Sequence, residues 1–533
     1  MKAVPKPVVL VVLDGFGISF EERGNAIAAA RKPELGAIER RFPFTALHAS
    51  GMPVGLPWGE AGNSEVGHLT MGAGRVMYHH LPRIIVSIHD GSFYQNPAFQ
   101  HVVEHVKANQ SSLHLLGLVS SGSVHSYLDH LYALLELASR AEIARVFLHV
   151  ITDGKDAPPE EASRLIEKLQ ERIAAKHPAV TIASLVGRFF AMDRDLHWDR
   201  TQRTYELLTR GTGKAFRDPV EYLAQSYAAG ISDEFIEPAW REENGEAAGR
   251  IQENDGLIIF NFREDSMRQI AEAFTADPFD RSPQKLEKVA PIKIATMTEY
   301  EQGLPGVEAA FPPLEIVSSL AHVLALNQKK QFRIAESEKY AHVTYFFNGG
   351  IEKPFPGEER MPIPSLAVPH FDDHPEMQAP EITTRVIERL PAYDFILANL
   401  ANADMVGHTG NFAAAVRAIE TLDESVGRLR KAVLDQGGIL LVTADHGNAE
   451  QKIHPLSGES VTEHTANPVP LYLIGREYEE KKERTADEIL KLKKEVGGIL
   501  TDIAPTILEL MRLPQPPEMT GKSLLSMLLD ERR

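Results

Sequence analysis

The chain has 533 residues, 43% of them hydrophobic, a size that suits roughly two to four domains with buried cores. Its 74 acidic and 56 basic residues give a formal net charge of −18, which argues against general binding to nucleic acid or to a membrane surface. The absence of cysteine excludes disulfides, zinc–thiolate sites and thiol catalysis. A small anionic substrate stays compatible with this charge, because a local cluster of arginine and lysine can bind it.

The N-terminal stretch MKAVPKPVVLVVLDGFG contains a short apolar run that ends at Asp14. This run is too short for a signal peptide, and no later stretch reaches the roughly 18 apolar residues that a membrane span requires. We therefore expect a cytoplasmic enzyme with no membrane partner and no nucleic-acid partner.

Several segments share one pattern, in which a short apolar run leads into Asp, Gly, Asn or His and then into a helical period. They are residues 7–17, 144–156, 255–265, 393–408 and 437–450. Continuous apolar strands followed by helices predict an α/β fold with parallel sheets that are buried on both faces. In such sheets ligands bind at the carboxyl ends of the strands, where these polar residues fall.

Proline and glycine concentrate near residues 78–82 and 305–313, which predicts two domain boundaries. Residues 311–350 are expected to form a helix, a strand and then a passage from helix to strand. The charged stretch 477–495 is typical of a helix with a solvated face.

The stretch GNSEVGHLTMGAG, residues 62–74, contains Ser64 between an asparagine and a glutamate, with glycines on both sides. Two interpretations of Ser64 are open. A serine at the start of a helix can cap the free N–H groups of its first turn. A serine beside a metal ion can instead serve as a nucleophile, because coordination favours the deprotonated hydroxyl.

Three aspartates and three histidines lie mostly at the predicted strand ends: Asp14, Asp404, His408, Asp445, His446 and His464. Asp404 and His408 have i, i+4 spacing and so share one face of a helical turn. Each residue alone is more often structural, and Asp14 alone is more often a turn residue. Together their oxygen and imidazole donors suit Mn²⁺ or Zn²⁺, and without thiolates we expect Mn²⁺. Six such ligands are enough for a two-metal site of the kind used in phosphoryl chemistry.

The motifs LDGFG, GLPWGEAGNSEVGH, NADMVGHTGN, TADHGNAE and EHTANPVP resemble those of cofactor-independent (2,3-bisphosphoglycerate-independent) phosphoglycerate mutases in the alkaline phosphatase superfamily. The resemblance covers nearly the whole chain. It implies an alkaline-phosphatase-like α/β domain with a parallel-rich sheet, formed by residues 1–79 and 311–533, that binds the metals. It also implies an inserted second α/β domain, residues 80–310, for phosphotransfer and substrate binding.

The resemblance implies two Mn²⁺ ions, with other divalent metals also allowed, and no requirement for 2,3-bisphosphoglycerate. One metal is held by Asp404, His408 and His464. The other is held by Asp14, Ser64, Asp445 and His446. Ser64 becomes phosphorylated, and Lys339 lies near the serine and the phosphate.

The implied reaction is the interconversion of 3-phosphoglycerate and 2-phosphoglycerate through phosphoserine, in an enzyme expected to be monomeric. Asp156 moves protons to and from the substrate hydroxyls. The implied substrate-binding residues are His125, Lys155, Asp156, Arg188, Arg194, Arg263 and Lys339. Arginine forks suit this substrate, because they bind phosphate and carboxylate with two hydrogen bonds each.

Two positions depart from the family pattern. Lys155 stands where the family has arginine in DGRD, and Ser266 stands where the family has the second arginine of NFRxDR. Arg268 or a nearby lysine could compensate for the lost charge. The two departures, Lys155 and Ser266, favour the alternatives of a metal-dependent phosphatase, or a mutase acting on another small phosphorylated metabolite. A serine-type sulfatase and a binding protein without catalysis also stay open.

Overall fold

The computed structural model describes residues 5–275, 288–314, 316, 318–454 and 457–530. The first four residues of the N-terminal stretch, and positions 315 and 317 of the stretch 311–350, lie outside these ranges. The chain forms two compact units, Met1–His79 with Leu314–Arg533, and His80–Pro313. Within the described ranges, no helix combines the length and the apolar character needed to cross a bilayer.

The first unit contains a largely parallel sheet, as the apolar strand pattern predicts. In spatial order its strands are Glu358–Ile363, Gln331–Glu336, Phe395–Leu400, Val8–Leu13, Ile439–Thr443, Val469–Ile474, Phe44–His48 and Val496–Ile499. Only Val469–Ile474 among these pairs antiparallel with its neighbours. The strands predicted in 7–17, 393–408 and 437–450 are adjacent at the centre of the sheet. The middle one, Val8–Leu13, is buried along its whole length.

Helices pack around this sheet and bury its apolar strands. They are Ala26–Ala29, Pro33–Arg41, Ser64–Ala73, Leu320–Leu326, Ala379–Arg389, Asn402–Gly407, Phe412–Asp435, Ala486–Lys494, Ile503–Leu510 and Leu525–Asp530. Within the charged stretch 477–495 only Ala486–Lys494 is an α-helix, and it has no fully buried residue, which agrees with a solvated face in this half of the stretch. Tyr478, in the 3-10 turn Arg476–Tyr478, is buried. The predicted helix and strand of 311–350 are Leu320–Leu326 and Gln331–Glu336. A 3-10 turn, Ser337–Lys339, and a π-helix, His342–Phe346, come next.

Helix Ser64–Ala73 lies unusually close to its neighbours, and this explains its glycines. A Cβ atom on Gly67 would lie 2.7 Å from the Asp445 backbone oxygen, and one on Gly72 would lie 1.9 Å from the Phe347 carbonyl oxygen. Only Gly74, which ends the helix at φ 60°, needs the left-handed conformation. Gly67 and Gly72 therefore serve close packing against the segments at Asp445 and Phe347 rather than freedom of the backbone.

We expect Gly72→Ala to destabilise the protein by about 1–3 kcal/mol, because the new methyl group overlaps a carbonyl oxygen in a packed core. The matched control is Gly36→Ala in helix Pro33–Arg41, where the nearest atom is the Arg40 side chain at 3.4 Å. That change should be neutral or should stabilise by about 0.5–1 kcal/mol through helix propensity. Urea unfolding of both variants measures the difference, and equal stabilities would contradict the packing argument.

The second unit has its own sheet, also mostly parallel. In spatial order its strands are Val307–Phe311, Lys293–Thr298, Gly256–Ile259, Leu113–Leu118, Val146–Thr152, Val180–Gly187, Ala239–Glu243 and Lys214–Phe216, with Glu246–Ala247 paired to Ala239–Glu243. Its helices are His80–Asp90, Pro97–Asn109, Leu128–Arg140, Ala162–Lys176, Arg188–Ala191, Trp198–Arg210, Pro219–Ala228 and Arg268–Thr275. Separate hydrophobic clusters form on the two sides of this sheet, which confirms a parallel-rich α/β fold buried on both faces.

His130, in helix Leu128–Arg140, makes the second unit sensitive to acid. Its ring packs edge-on against Tyr127 and Phe262, and neither ring nitrogen has a hydrogen-bond partner among the described residues. Burial lowers the pKa of His130 to about 3. Below pH 6.5 the unfolded chain takes up a proton that the folded chain refuses, so stability falls as the pH falls from 6.5 toward 3.

We expect His130→Phe to reduce the stability lost between pH 6.5 and pH 5 by about 2 kcal/mol, because each pH unit contributes about 1.4 kcal/mol per proton. Unfolding free energies at the two pH values test this. The control, His89→Phe, changes an exposed histidine and should leave the pH dependence as it is. Identical acid sensitivity in the wild type and in His130→Phe would show that His130 does not carry the effect.

Candidate functional site

The central strands of the first unit bring three aspartates together at their carboxyl ends. Asp14 follows Val8–Leu13, Asp445 follows Ile439–Thr443, and Asp404 lies in helix Asn402–Gly407, just after Phe395–Leu400. These strands are parallel neighbours, so their carboxyl ends lie at one edge of the sheet. All three carboxylates are buried, and such a cluster of negative charge requires a compensating cation.

Ser64 is the first residue of its helix and points into this cluster. Its Oγ lies 3.0 Å from Asp14 Oδ1 and 3.0 Å from His446 Nε2. Asn63 is the residue that caps the helix, since its side-chain oxygen accepts a hydrogen bond from the Val66 N–H at 2.9 Å. The geometry thus assigns the cap to Asn63, and the Ser64 hydroxyl contacts the acidic cluster instead.

Lys339 provides one positive charge at the centre of the site. Its Nζ donates to Asp14 Oδ1 at 2.7 Å, to Asp404 Oδ2 at 2.6 Å and to Ser64 Oγ at 2.7 Å. Burial opposes its charge, but Asp14, Asp404 and Asp445 together raise the pKa of Lys339 above its ordinary value. Burial likewise opposes the ionised form of Asp14, but Lys339 and His446 hold its pKa well below the usual range.

Three histidines turn the same ring nitrogen toward the carboxylates. The Nε2 atoms of His408 and His464 each lie 3.2 Å from Asp404 Oδ1, and His446 Nε2 lies 3.3 Å from Asp14 Oδ1. The Nδ1 atoms face backbone carbonyl oxygens of Thr462, Gly62 and Gly447, respectively. A carbonyl only accepts, so each neutral ring carries its proton on Nδ1 and presents the Nε2 lone pair to the site.

These donors fit divalent cations. The Nε2 atoms of His408 and His464 face each other at 3.0 Å, an arrangement that a shared cation or proton must bridge. Asp445 Oδ2 is buried and accepts no hydrogen bond from any described residue, although His68 Nδ1 lies 3.2 Å away, because that N–H is directed to the Ser64 carbonyl. Burial opposes protonation of His446, but Asp445, Asp14 and Asp404 raise its pKa to about 10. The site thus attracts positive charge strongly.

All seven expected metal ligands lie in this one cluster. Within the described residues, two groups have ligand atoms within 4.8 Å of one another: Asp404, His446 and His464, and Asp14, Asp445 and His446. His446 falls in both groups, whereas the resemblance places it only in the group that contains Asp14 and Asp445. The reason is geometric, since the His446 ring stacks on His464 at 3.9 Å between ring centres and its Nε2 lies between Asp14 and Asp404.

Several residues that the sequence analysis missed hold the ligands in place. Asn399 Nδ2 donates to Asp14 Oδ2 at 2.7 Å, and Asn448 Nδ2 donates to Asp404 Oδ1 at 2.8 Å. Glu450 accepts the N–H groups of Gly17 and Asn448, and so ties together two of the loops that carry ligands. Asn399 was detectable as a polar residue in the otherwise apolar strand FILANL. Lys452, buried beside Asn448, gave no such signal.

The second unit contains a polar cavity of about 240 Å³. It is lined by every residue of this unit that was expected to bind substrate: His125, Lys155, Asp156, Arg188, Arg194 and Arg263. Ser266 also lines it. Arg268 does not. Its guanidinium donates to the Tyr300 carbonyl at 3.2 Å and lies 3.7 Å from Glu301, so it does not replace the charge missing at position 266.

The arginines that line this cavity also form ion pairs with aspartates. Arg188 Nη1 donates at 2.6 Å to both Asp153 and Asp156. Arg263 and Arg194 both bind Asp265, at 3.1 and 2.9 Å. The buried pairs hold the Arg188 guanidinium in a fixed orientation, which suits recognition of a carboxylate or a phosphate, whereas Arg194 and Arg263 are more exposed.

Comparison with known proteins identifies the family. The Metalloenzyme superfamily matches residues 6–515 of the chain. The 2,3-bisphosphoglycerate-independent phosphoglycerate mutase of Moorella thermoacetica is 46% identical over 526 residues, covering 98% of this chain and 99% of the relative. The enzyme of the same name from Thermomicrobium roseum is also 46% identical, with 98% of both chains covered.

A solved structure of Leishmania mexicana phosphoglycerate mutase, determined at low cobalt concentration, is 28% identical to this chain. It aligns with a TM-score of 0.51 and covers 98% of both chains. The family match, residues 6–515, extends over both units. The chain therefore belongs to the 2,3-bisphosphoglycerate-independent phosphoglycerate mutase family of the Metalloenzyme superfamily.

Proposed function

We propose that this protein interconverts 3-phosphoglycerate and 2-phosphoglycerate through a phosphoserine at Ser64, at a centre that holds two Mn²⁺ ions. The observation that carries the proposal is the position of Ser64 Oγ, within 3.0 Å of Asp14, His446 and Lys339. This places a potential nucleophile among candidate metal ligands and a buried cation. The names of the full-length relatives support the substrate.

Two divalent cations held by the candidate ligands would favour the deprotonated Ser64 hydroxyl and neutralise charge on the phosphoryl group. Ser64 Oγ forms a bond to phosphorus while the bond from phosphorus to the glycerate oxygen breaks. Lys339 Nζ, 2.7 Å from this Oγ, stabilises the negative charge on it. In the return step the other glycerate oxygen attacks the phosphoserine, and Ser64 leaves.

The cavity of the second unit supplies recognition and proton transfer in this proposal. Asp156 gives a proton to the glycerate oxygen that leaves and takes one from the hydroxyl that attacks. The guanidinium groups of Arg188, Arg194 and Arg263 bind the anionic groups of the substrate. His125 and Lys155 complete the set of polar contacts.

The test is to incubate purified protein with 3-phosphoglycerate and to follow 2-phosphoglycerate and free phosphate together. We expect 2-phosphoglycerate to form without added 2,3-bisphosphoglycerate. Its formation should stop after the metal is removed with a chelator and should resume when Mn²⁺ is added. Other divalent cations should restore less activity. We also propose that the protein is cytoplasmic, which cell fractionation tests, and that it is a monomer, which its molecular mass in solution tests.

A second candidate is a phosphatase, or a mutase acting on another phosphorylated metabolite. It is supported by Ser266 and Lys155, which line the cavity where the family pattern has arginines, and by the position of Arg268 outside the cavity. Free phosphate without 2-phosphoglycerate would identify the phosphatase. If neither product forms, turnover of another phosphorylated metabolite would identify a mutase with a different substrate. Normal mutase turnover in the wild type, unchanged or reduced in Ser266→Arg, would exclude a change of substrate.

A further inference from the structure

Arg200 lies in the first turn of helix Trp198–Arg210 and lines the cavity of the second unit. Two contacts hold its guanidinium group. Nη1 donates to Asp193 Oδ2 at 2.9 Å, and Cζ lies over the Phe189 ring, 3.9 Å from the ring centre. An ion pair and a stacked ring together restrict the group to one orientation, which prepares it for a ligand.

The carboxylate of Asp193 is a firm anchor for Arg200, because it is buried and accepts four hydrogen bonds. Its Oδ1 accepts the backbone N–H groups of Asp195 and His197, at 3.1 and 2.9 Å. Its Oδ2 accepts from His197 Nδ1 and from Arg200 Nη1, each at 2.9 Å. Asp193 therefore engages one nitrogen of the guanidinium group and leaves the other two.

These two nitrogens, Nε and Nη2 of Arg200, donate to no acceptor among the residues that the structure describes, and both are accessible. Their N–H groups lie on one side of the guanidinium and form the fork that binds both oxygens of a carboxylate. Arg263 shows this fork occupied in the same cavity, since its Nε and Nη2 donate to the two oxygens of Asp265 at 3.1 Å. The Arg194 side chain is 53% exposed, against 27% for Arg200. Arg200 thus offers an open fork that is better shielded from water.

We propose that Arg200 binds the carboxylate of the substrate through this fork, and that it retains glycerate in the cavity while the phosphoryl group resides on Ser64. This inference rests on the proposed function. Once the phosphoryl group has moved to Ser64, the carboxylate is the one charged group left on glycerate. A residue that retains glycerate must act on that group, and a preorganised guanidinium matches a planar carboxylate.

Loss of Arg200 should let glycerate leave before the return step. Water then forms the bond to phosphorus that the second glycerate oxygen would have formed. The bond from phosphorus to Ser64 Oγ breaks, and this Oγ takes up a proton from the attacking water. The products are inorganic phosphate and free glycerate. Arg200 therefore determines how the phosphoserine divides between isomerisation and hydrolysis.

The first experiment measures binding by calorimetry in the Ser64→Ala protein loaded with Mn²⁺, in which no phosphoserine forms. Adding Arg200→Met should weaken the binding of 3-phosphoglycerate by about 10- to 100-fold, the effect of losing charge-assisted hydrogen bonds. Glycerol 3-phosphate has a hydroxymethyl group in place of the carboxylate, so its affinity should not change. Arg200→Lys keeps a charge for Asp193 but has no fork, and it should also weaken the binding of 3-phosphoglycerate.

Arg203→Met is the matched control, because Arg203 lies in the same helix and has similar partners. Its guanidinium group lies over the Phe190 ring at 4.4 Å and 3.6 Å from Glu237. Arg203 is not among the residues that line the cavity, so its substitution should change neither binding nor turnover. The start of the helix is held separately, since Gln269 Nε2 donates to Thr201 Oγ1 at 3.1 Å. Neither arginine substitution should therefore displace the helix.

The second experiment follows both products from 3-phosphoglycerate in the protein that retains Ser64. Arg200→Met should raise the ratio of free phosphate to 2-phosphoglycerate by about 10-fold or more, because weaker binding mainly speeds the release of glycerate. Arg203→Met should keep the ratio of the wild type. A ratio in Arg200→Met no higher than in the wild type would overturn the role of Arg200 in retaining glycerate.

Three binding results would overturn the contact with the carboxylate. They are unchanged affinity for 3-phosphoglycerate in Arg200→Met, an equal loss of affinity for glycerol 3-phosphate, and full affinity for 3-phosphoglycerate in Arg200→Lys. Failure of the proposed function would look different. In that case 3-phosphoglycerate would bind with the expected dependence on Arg200, while the wild type would form no 2-phosphoglycerate.

Discussion

Ser64→Ala is expected to lower mutase turnover by about 10⁴-fold or more while the protein stays folded and still binds metal. In the proposed mechanism the Ser64 hydroxyl accepts the phosphoryl group, so loss of this nucleophile removes the covalent route altogether. The aspartates and histidines of the centre keep their contacts, so metal content after dialysis should change little. Substrate labelled on phosphorus should label the wild type covalently and leave the variant unlabelled.

Ser319→Ala is the matched control, because Ser319 is a serine at a helix start that does act as a cap. Its Oγ accepts the N–H of His322 at 3.3 Å, whereas Asn63 performs that task in the helix of Ser64. Ser319→Ala should lose about 1 kcal/mol of stability and keep its turnover. The opposite result, a stability loss in Ser64→Ala with turnover preserved, would show that Ser64 is a structural residue.

The strand pattern predicted which strand ends carry the acidic residues of the site, because the apolar runs are a local property of the sequence. Continuous apolar runs that end in Asp14, Asp404 or Asp445 require a buried parallel sheet, and in such a sheet these ends fall at one edge. The order of the strands does not follow from the runs themselves, since it depends on pairing over hundreds of residues. The assignment of each ligand to one of two metals comes from the resemblance of the motifs and not from the local pattern.

Three features of the sites required the folded chain. Ser64 and Asn63 are both suitable caps by residue type, and only the backbone shows that Asn63 takes that role. The shared position of His446 arises from its stacking on His464. The contact of Ser266 with His125 joins residues 141 positions apart. Spacing along the chain carries no information about contacts of this kind, because they are made by loops from different strands.

Lys339→Met should destabilise the metal-free protein by about 3–5 kcal/mol and lower turnover by about 10²–10³-fold. Removal of one partner from a buried ion pair leaves its carboxylates uncompensated, and here Asp14 and Asp404 both lose a contact shorter than 2.8 Å. The turnover effect follows from the lost donor to Ser64 Oγ. Chemical unfolding after chelation measures the first effect, and the phosphoglycerate assay measures the second.

Lys452→Met separates the loss of this charge from the loss of any buried lysine. Lys452 is also buried in the first unit, but its Nζ donates to the Gly407 carbonyl at 3.2 Å and to the Asn448 side chain rather than to a carboxylate. Burial lowers the pKa of Lys452 to about 8, so its charge contributes less than that of Lys339 near pH 8. Lys452→Met should lower the free energy of unfolding by about 1–2 kcal/mol, as expected for neutral hydrogen bonds.

Added Mn²⁺ should narrow the stability deficit of Lys339→Met, because a bound cation compensates the same carboxylates. Equal losses in the two variants, or a deficit in Lys339→Met that Mn²⁺ leaves unchanged, would show that the Lys339 charge does not balance the metal-binding carboxylates.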